Sequence, residues 1–161
     1  MITLSDVSVR AGAFALTNVS FTIPAAAFGV VVGAAGSGKT TMLEAIAGVR
    51  TLSSGAISLH QHDVTHWPPE KRAVGLVYQH GALFPHRSVS DNVAWSVKNT
   101  TSQNKTAFAD HCETIIRRLG ISSLFHTPVS ALSGGERQLV ALARALVRVR
   151  ACLDRAEPAV L

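Results

Sequence analysis

The chain contains the glycine-rich stretch Gly33-Ala-Ala-Gly36-Ser37-Gly38-Lys39-Thr40, followed by Thr41. It fits the pattern G-x-x-x-x-G-K-[ST] of a phosphate-binding loop, and it lies between a strand-like run and a helix-like segment. Glycines permit positive φ angles and close backbone approach, so successive N–H groups from Gly36 to Thr41 can surround phosphate oxygens. The helix predicted to begin near Thr40 adds the positive end of its dipole at the same place. The stretch therefore predicts a site for a triphosphate.

Two side chains of this loop are candidates for binding the phosphates and their metal ion directly. Lys39 is placed to reach the β- and γ-phosphates, and the Thr40 hydroxyl is placed to ligate Mg²⁺. The ligand we expect from these groups is a nucleoside triphosphate with Mg²⁺. The candidate nucleotide-binding residues here are Gly33, Gly36, Ser37, Gly38, Lys39, Thr40 and Thr41. The loop alone does not choose among kinases, GTPases and transport ATPases.

The segments around the loop alternate between strand and helix patterns. Strands are predicted at residues 2–9, 19–23, 28–32, 56–59 and 74–78, and helices at 40–47 and 111–119. The run at 28–32 is short, apolar and rich in β-branched residues, as in a strand buried on both faces. Strands that alternate with helices predict an α/β domain with parallel pairings.

Composition and length limit the class of protein. With 161 residues, 47% of them hydrophobic, the chain can bury one core, as a single domain or part of one. Its apolar stretches are too short or too interrupted by arginine to cross a bilayer, and its N-terminus lacks the pattern of a secretory signal. Cys112 and Cys152 form no metal-binding or redox pattern, which fits a reducing cytoplasm.

The formal net charge of +5 raises the question of nucleic-acid binding. Much of the excess lies near the C-terminus, where Arg137, Arg144, Arg148 and Arg155 are spaced to form one stripe of a helix. We interpret the stripe as a solvated face opposite the leucines of that helix, and we expect no nucleic-acid partner.

A second motif, Leu132-Ser133-Gly134-Gly135-Glu136-Arg-Gln138, narrows the class further. Ser133 and Glu136 form the S-x-x-E capping box, which predicts a helix with Ser133 as its N-cap. Gly134 and Gly135 weaken a helix by about 1 kcal/mol each relative to alanine. They leave the first N–H groups bare, so a phosphate of another chain can approach the positive end of the helix. This motif resembles the signature sequence of ABC transporter ATPases.

The resemblance to ABC transporter ATPases covers about residues 2–147, with the motifs in the family's order. Tyr78-Gln79 resembles the family's Q-loop, whose glutamine joins the Mg²⁺ and attacking-water network. Residues 63–65, 68–72 and 82–86 look like those of importers for molybdate, sulfate, iron, polyamines or sugars.

The resemblance implies an α/β fold, a P-loop nucleotide-binding domain of the ABC type with a mostly parallel sheet core and a helical subdomain. Its core would lie at about residues 1–78 and its helical and signature region at about 79–147. A divergent tail at 148–161 would leave the domain incomplete at its C-terminus.

The resemblance also implies an activity and partners. The family hydrolyses ATP to ADP and phosphate and couples this to transport, so an importer subunit on the cytoplasmic face of the membrane is expected. Its partners would be the membrane permease subunits and a second copy in a head-to-tail homodimer. In that dimer Lys39, Thr40 and Gln79 of one subunit face Ser133, Gly134 and Gly135 of the other, and Thr40 and Gln79 serve Mg²⁺.

Phe14 marks one departure from the family. The family stacks adenine on an aromatic residue before the second strand, and Phe14 is the aromatic residue available there, displaced by a few positions. An altered base contact and an ordinary core role are both open for it.

A histidine cluster offers a competing hypothesis. His60 and His62 would share a strand face and, with His66, suggest a metal site. Because no fourth ligand follows, we interpret these histidines as solvated surface residues.

The resemblance stops in the tail, where the family continues into an aliphatic strand ending in Asp-Glu-Pro. One interpretation makes residues 151–154 a shortened strand that ends in Asp154. A second takes Glu157 and Pro158 as the catalytic pair, with Glu157 polarising the attacking water. In a third, apolar residues from Leu139 to Ala156 recur at alternating spacings of 3 and 4, so the signature helix continues until Pro158.

The tail therefore leaves the function with alternatives. Since the hydrolytic machinery looks incomplete, a non-hydrolytic nucleotide-binding module or an inactive truncated product stands beside the ATPase. A GTPase or a small-molecule kinase is disfavoured, because residues 104–107 lack the aspartate of N-K-x-D and neither class accounts for the motif from Leu132 to Glu136. An unpaired sheet edge would also predict marginal solubility of the chain expressed alone.

Overall fold

The computed structural model describes residues 1–79, 81–98 and 105–153. These residues divide into two compact units, Met1–Val74 and a second unit from Gly75 onward. The longer elements, in chain order, are β1 (Ile2–Ala11), β2 (Phe14–Ile23), α1 (Lys39–Ile46), β3 (Ser54–Leu59), β4 (His62–Asp63), α2 (Val89–Lys98), α3 (Lys105–Arg118) and α4 (Gly134–Leu153).

The first unit is built on a four-stranded sheet with the order β2-β1-β3-β4. Its pairings are antiparallel, and β1 lies in the middle with Ile2 opposite both Ile23 and Leu59. Leu4 and Val7 are both buried although three positions separate them. A bulge between them, where Asp6 has a φ of 50°, makes this possible, because one extra residue returns Val7 to the core face.

Helix α1 packs its apolar side on this sheet. Its buried residues Met42, Ala45 and Ile46 share one core with the sheet residues Leu4, Val7, Val9, Ile57 and Leu59. Gly48, with a φ of 79°, follows the helix in the left-handed conformation that ends many helices. The helix predicted at 40–47 is therefore confirmed, and its N-terminus lies at the end of the glycine loop.

The predicted strands at 28–32 and 74–78 are wrong for this structure, because neither segment forms a regular strand. Phe28, Val30 and Val32 are 101%, 84% and 88% exposed, where burial on both faces was expected. The physical reason is that a central strand needs a neighbour on each side, and none of the described strands pairs with either segment. The parallel pairings expected from the alternating pattern are likewise absent from the described sheet.

The second unit is helical. Residues of α2, α3 and α4 enclose its core, which comprises Val89, Val93, Ile115, Ile116, Ile121, Val129, Leu132, Val140, Ala143 and Val147. The residues of α4 in this core are therefore Val140, Ala143 and Val147. The leucines that were expected to form its apolar face, Leu139, Leu142 and Leu146, are 37%, 37% and 43% exposed.

Candidate functional site

The glycine loop has the backbone that its sequence predicts. Gly36 and Gly38 have φ angles of 78° and 89°, in the left-handed region that favours glycine. Apart from its chain neighbours, no described residue has an atom within 4 Å of the place where a side chain of Gly36 would begin, so that side of the loop is open. The open side leaves room for an anion to approach the backbone.

Lys39 turns its ammonium group back over the loop. Its Nζ donates hydrogen bonds to the carbonyl oxygens of Gly33 at 2.8 Å and Ala34 at 2.6 Å, and it lies 3.4 Å from Oγ of Ser37. A positive charge is thereby held at the centre of the loop. A phosphate oxygen entering there would meet this charge together with the loop N–H groups.

The first turn of α1 completes the phosphate-binding surface. Gly38 is the N-cap and makes no side-chain capping bond, and the first turn carries no acidic residue. A cavity of about 220 Å³ opens beside it, lined by Ala11, Phe14, Gly36, Gly38, Lys39, Thr40 and Thr41. Thr40 is exposed, and its hydroxyl is the hard oxygen ligand that Mg²⁺ prefers. These residues fit a magnesium triphosphate.

The start of β2 forms one wall of this cavity. A Cβ atom added to Gly38 would lie 2.7 Å from Cζ of Phe14 and 3.3 Å from Cδ1 of Leu16. The structure therefore places Phe14 against the backbone of the loop as well as beside the cavity.

The second motif forms the predicted capping box at the start of α4. The backbone N–H of Ser133 donates to Oε2 of Glu136 at 2.7 Å, and the backbone N–H of Glu136 donates to Oγ of Ser133 at 3.3 Å. The Ser133 hydroxyl donates to the same Oε2 at 2.6 Å. These hydrogen bonds lower the pKa of Glu136 below its ordinary value. Ser133 as N-cap is confirmed.

Gly134 and Gly135 leave this helix start bare. Both are exposed, and outside the adjoining backbone of α4 no atom in the described part of the chain lies within 4 Å of a Cβ position at either residue. The positive end of α4 is therefore open to an anion from outside the unit.

Gln79 lies beside α4 within the second unit. Its backbone oxygen accepts a hydrogen bond of 3.3 Å from Nε2 of Gln138. Gln79 and Gly135 also share the lining of a cavity of about 350 Å³ with Val77, Tyr78, Gln138, Leu139 and Leu142. The structure thus brings Gln79 and the signature motif together, while Lys39 and Thr40 lie in the first unit.

Comparison with known proteins decides the family. The family described as ABC transporter matches residues 16–156, which is most of the chain. The chain belongs to the ABC transporter family. It is 38% identical over 146 residues to the sulfate/thiosulfate import ATP-binding protein CysA of Mycobacterium tuberculosis, covering 90% of this chain and 41% of that protein.

A second relative and a solved structure agree with this assignment. The ABC chain is 40% identical over 147 residues to the molybdate/tungstate import ATP-binding protein WtpC of Pyrococcus horikoshii, covering 91% of this chain and 42% of that protein. A dimeric ATP-binding cassette, solved in a post-hydrolysis state with ADP and phosphate, matches with a TM-score of 0.73 and 24% identity. That match covers 92% of this chain and 70% of the solved chain, and it shows the fold.

The ABC chain spans about two fifths of the length of these curated relatives. Within the part that the structure describes, no helix is long and apolar enough to cross a membrane.

Sequence reasoning missed the role of Arg144 in the ABC chain. The spacing of the arginines predicts a solvated stripe that includes Arg144, but Arg144 is half-buried, and its Nη2 donates to the carbonyl oxygens of Gly81 at 3.3 Å and Ala82 at 2.8 Å. Gly81 and Ala82 both have positive φ angles, of 72° and 43°. Burial lowers the pKa of the Arg144 guanidinium. Charge spacing alone gave no signal of this contact, because the acceptors are distant in sequence.

The remaining candidates lie on the surface or outside the described residues. Glu157, the candidate catalytic carboxylate, lies outside them. Of the three interpretations of the tail, the continuing helix is confirmed as far as Leu153, the last described residue. His60, His62 and His66 are exposed, and no group of three or more potential metal ligands lies together among the described residues.

Proposed function

We propose that this ABC chain binds ATP with Mg²⁺ and acts as the ATP-binding subunit of an importer for a small solute. The observation that carries the proposal is the position of Lys39. Its ammonium lies within hydrogen-bond distance of the carbonyl oxygens of Gly33 and Ala34, inside a loop whose glycines adopt left-handed angles. A triphosphate in this loop would replace the carbonyl oxygens as the partner of that charge.

The proposed roles follow from the chemistry of each group. Lys39 neutralises charge on the phosphates and orients them, while the N–H groups from Gly36 to Thr41 bind their oxygens. Thr40 and Gln79 are the proposed ligands of Mg²⁺, which when bound neutralises further phosphate charge. Hydrolysis in this scheme depends on positioning the attacking water in line with the phosphate. Glu157 remains the candidate residue for polarising that water.

The bare start of α4 supports a head-to-tail dimer. Gly134 and Gly135, at the helix start that Ser133 caps, offer N–H groups and a helix dipole that a phosphate held by a second copy would use. The solved ATP-binding cassette to which the chain is similar is dimeric.

We extend the proposal to the membrane partners through the relatives. CysA and WtpC are named as import ATP-binding proteins for sulfate/thiosulfate and molybdate/tungstate. By similarity this chain would bind permease subunits at the cytoplasmic face of the membrane, with an imported small solute of this kind.

The test is Mg-ATP binding and phosphate release by the unaltered chain and by Lys39→Ala. We expect Lys39→Ala to weaken Mg-ATP binding by roughly tenfold or more, because a charge-assisted contact is lost. Lys71→Ala is the matched control, since Lys71 is exposed in a short 3₁₀ turn remote from the loop in sequence. Unchanged binding after Lys39→Ala would contradict the proposal.

A second candidate, a non-hydrolytic nucleotide-binding module, is favoured by the path of α4. This helix continues through residues 148–153, where one interpretation needed a strand leading to Asp154. Mg-ATP binding that depends on Lys39 without any phosphate release would select the module over the ATPase.

A further inference from the structure

The hairpin of β1 and β2 places the aromatic side chain of Phe14 against the glycine loop that precedes α1. Phe14 pairs with Ala11 at the end of the hairpin, next to Gly12 with its φ of 62°, so the start of β2 is fixed by the hairpin turn. From there the ring edge of Phe14 reaches Gly38. A Cβ on Gly38 would lie 2.7 Å from Cζ and 2.8 Å from Cε1 of the ring. Phe14 thus fills the space beside Gly38 that any other residue would need.

The apolar contact between Phe14 and Gly38 differs from the hydrogen bonds of Lys39 that also hold the loop. The Lys39 ammonium ties the loop together through the carbonyl oxygens of Gly33 and Ala34, and a phosphate that attracts the ammonium competes with both hydrogen bonds. Gly38 receives no help from a side-chain capping bond at the start of α1. The packing of Phe14 and Leu16 on Gly38 does not involve the ammonium, so it persists when the charge turns to a phosphate.

We propose that Phe14 is a positioning residue for the phosphate loop. Its ring holds Gly38 in the left-handed conformation and so aims the N–H groups at the start of α1 at the phosphates. The inference rests on the phosphate binding proposed above and adds the element that supports it. Because Phe14 acts on the loop backbone, every ligand with a triphosphate depends on it to the same degree, whatever base the ligand carries.

The experiment compares a ligand that has a base with one that has none. Calorimetric titrations measure the affinities of Mg-ATP and of inorganic tripolyphosphate with Mg²⁺ for the unaltered chain, Phe14→Ala and Phe14→Leu. We expect Phe14→Ala to weaken both ligands by the same factor, about tenfold, because the contact with the loop is lost. Phe14→Leu should weaken both less, since leucine fills part of the space. Circular dichroism identifies a temperature at which each variant is folded, and the titrations are performed at that temperature.

Phe21→Leu is the control for a general loss of stability. Phe21 lies on the same strand and packs against the core of the first unit rather than lining the cavity, so its substitution should leave both affinities unchanged. A loss confined to Mg-ATP would assign Phe14 to the base and overturn the inference, as would unchanged binding of both ligands. If Phe14→Ala does not fold, the same comparison for Phe14→Leu decides. Failure of the unaltered chain to bind either ligand would overturn the proposed function together with this inference.

Discussion

Arg72 donates a hydrogen bond of 2.8 Å from Nη1 to the main-chain carbonyl of Ala45, in the last turn of α1. The same guanidinium donates to the carbonyl oxygens of Ile46, Thr65 and Trp67. Arg72 is only 5% exposed, and burial lowers the pKa of its guanidinium while Asp63 raises it. Carbonyl groups at a helix C-terminus lack helical partners and attract positive charge. One side chain therefore anchors the far end of the phosphate-loop helix.

Arg72→Met should lower the free energy of unfolding by about 2–4 kcal/mol, because the four carbonyl oxygens that accept from the guanidinium each lose a donor. Urea denaturation followed by circular dichroism measures the loss. The neighbouring Lys71→Met is the control, because Lys71 is exposed and its replacement should change little. Equal stabilities of the two variants would show that the Arg72 network contributes nothing.

The capping box should give a stability that depends on pH. The pKa of Glu136 is lowered from an ordinary value of 4.5 by its hydrogen bonds with Ser133. A carboxylate with a lowered folded-state pKa stabilises the fold above the unfolded-state pKa, and this contribution is lost as the pH falls through the folded-state value. Glu136→Gln keeps the shape and removes the charge. It should therefore melt lower than the unaltered chain at pH 7, and the gap should close as the pH falls below 4.5.

Thermal melting at a series of pH values measures this gap, with Glu113→Gln as the control. Glu113 is an exposed glutamate of α3 outside the capping box, so its substitution shows what the same change does without the hydrogen bonds to Ser133. A gap for Glu136→Gln that stays constant from pH 7 to pH 3 would contradict the charge-based account.

Asn92 should tolerate no change of its amide. It is fully buried; its Oδ1 accepts from the N–H of Phe84 at 2.8 Å, and its Nδ2 donates to the carbonyl oxygens of Phe84 and Ser88. Asn92→Asp keeps the acceptor but sets a carboxyl oxygen against two carbonyl oxygens, so we expect a loss of about 2–3 kcal/mol. Ala94→Asp adds the same group at an exposed position of α2. Urea denaturation should separate the two variants, and indistinguishable midpoints would be the contrary result.

Local signals in the sequence predicted the parts of the molecule that depend on local rules. The glycine loop, α1 and the capping box of Ser133 and Glu136 each arise from interactions within a few residues. β1 and β3 were also predicted, although each is longer in the structure than its pattern indicated. The family resemblance, carried by two motifs, was confirmed by the comparison over residues 16–156.

The features that sequence reasoning missed depend on contacts between distant residues. Arg72 ends the run at 68–72, whose sequence resembles that of importers and indicates no buried contact, yet its acceptors lie up to 27 positions away. Arg144 is joined to Gly81 and Ala82 across more than 60 positions. The run at 28–32 has the composition of a buried strand, but composition supplies no pairing partner. The pattern of a segment indicates which secondary structure it is compatible with, and its tertiary contacts determine which one it adopts.

The exposure of residues 28–32 has a consequence for affinity. The loop is fixed at Gly38 by the hairpin and α1, whereas Gly33 follows a segment that joins none of the described strands. A ligand that contacts both ends of the loop requires a fixed distance between them. Ordering the Gly33 end on binding therefore costs part of the binding free energy. Pairing of residues 28–32 with a further strand would therefore tighten phosphate binding through preorganisation, without adding a single contact to the ligand.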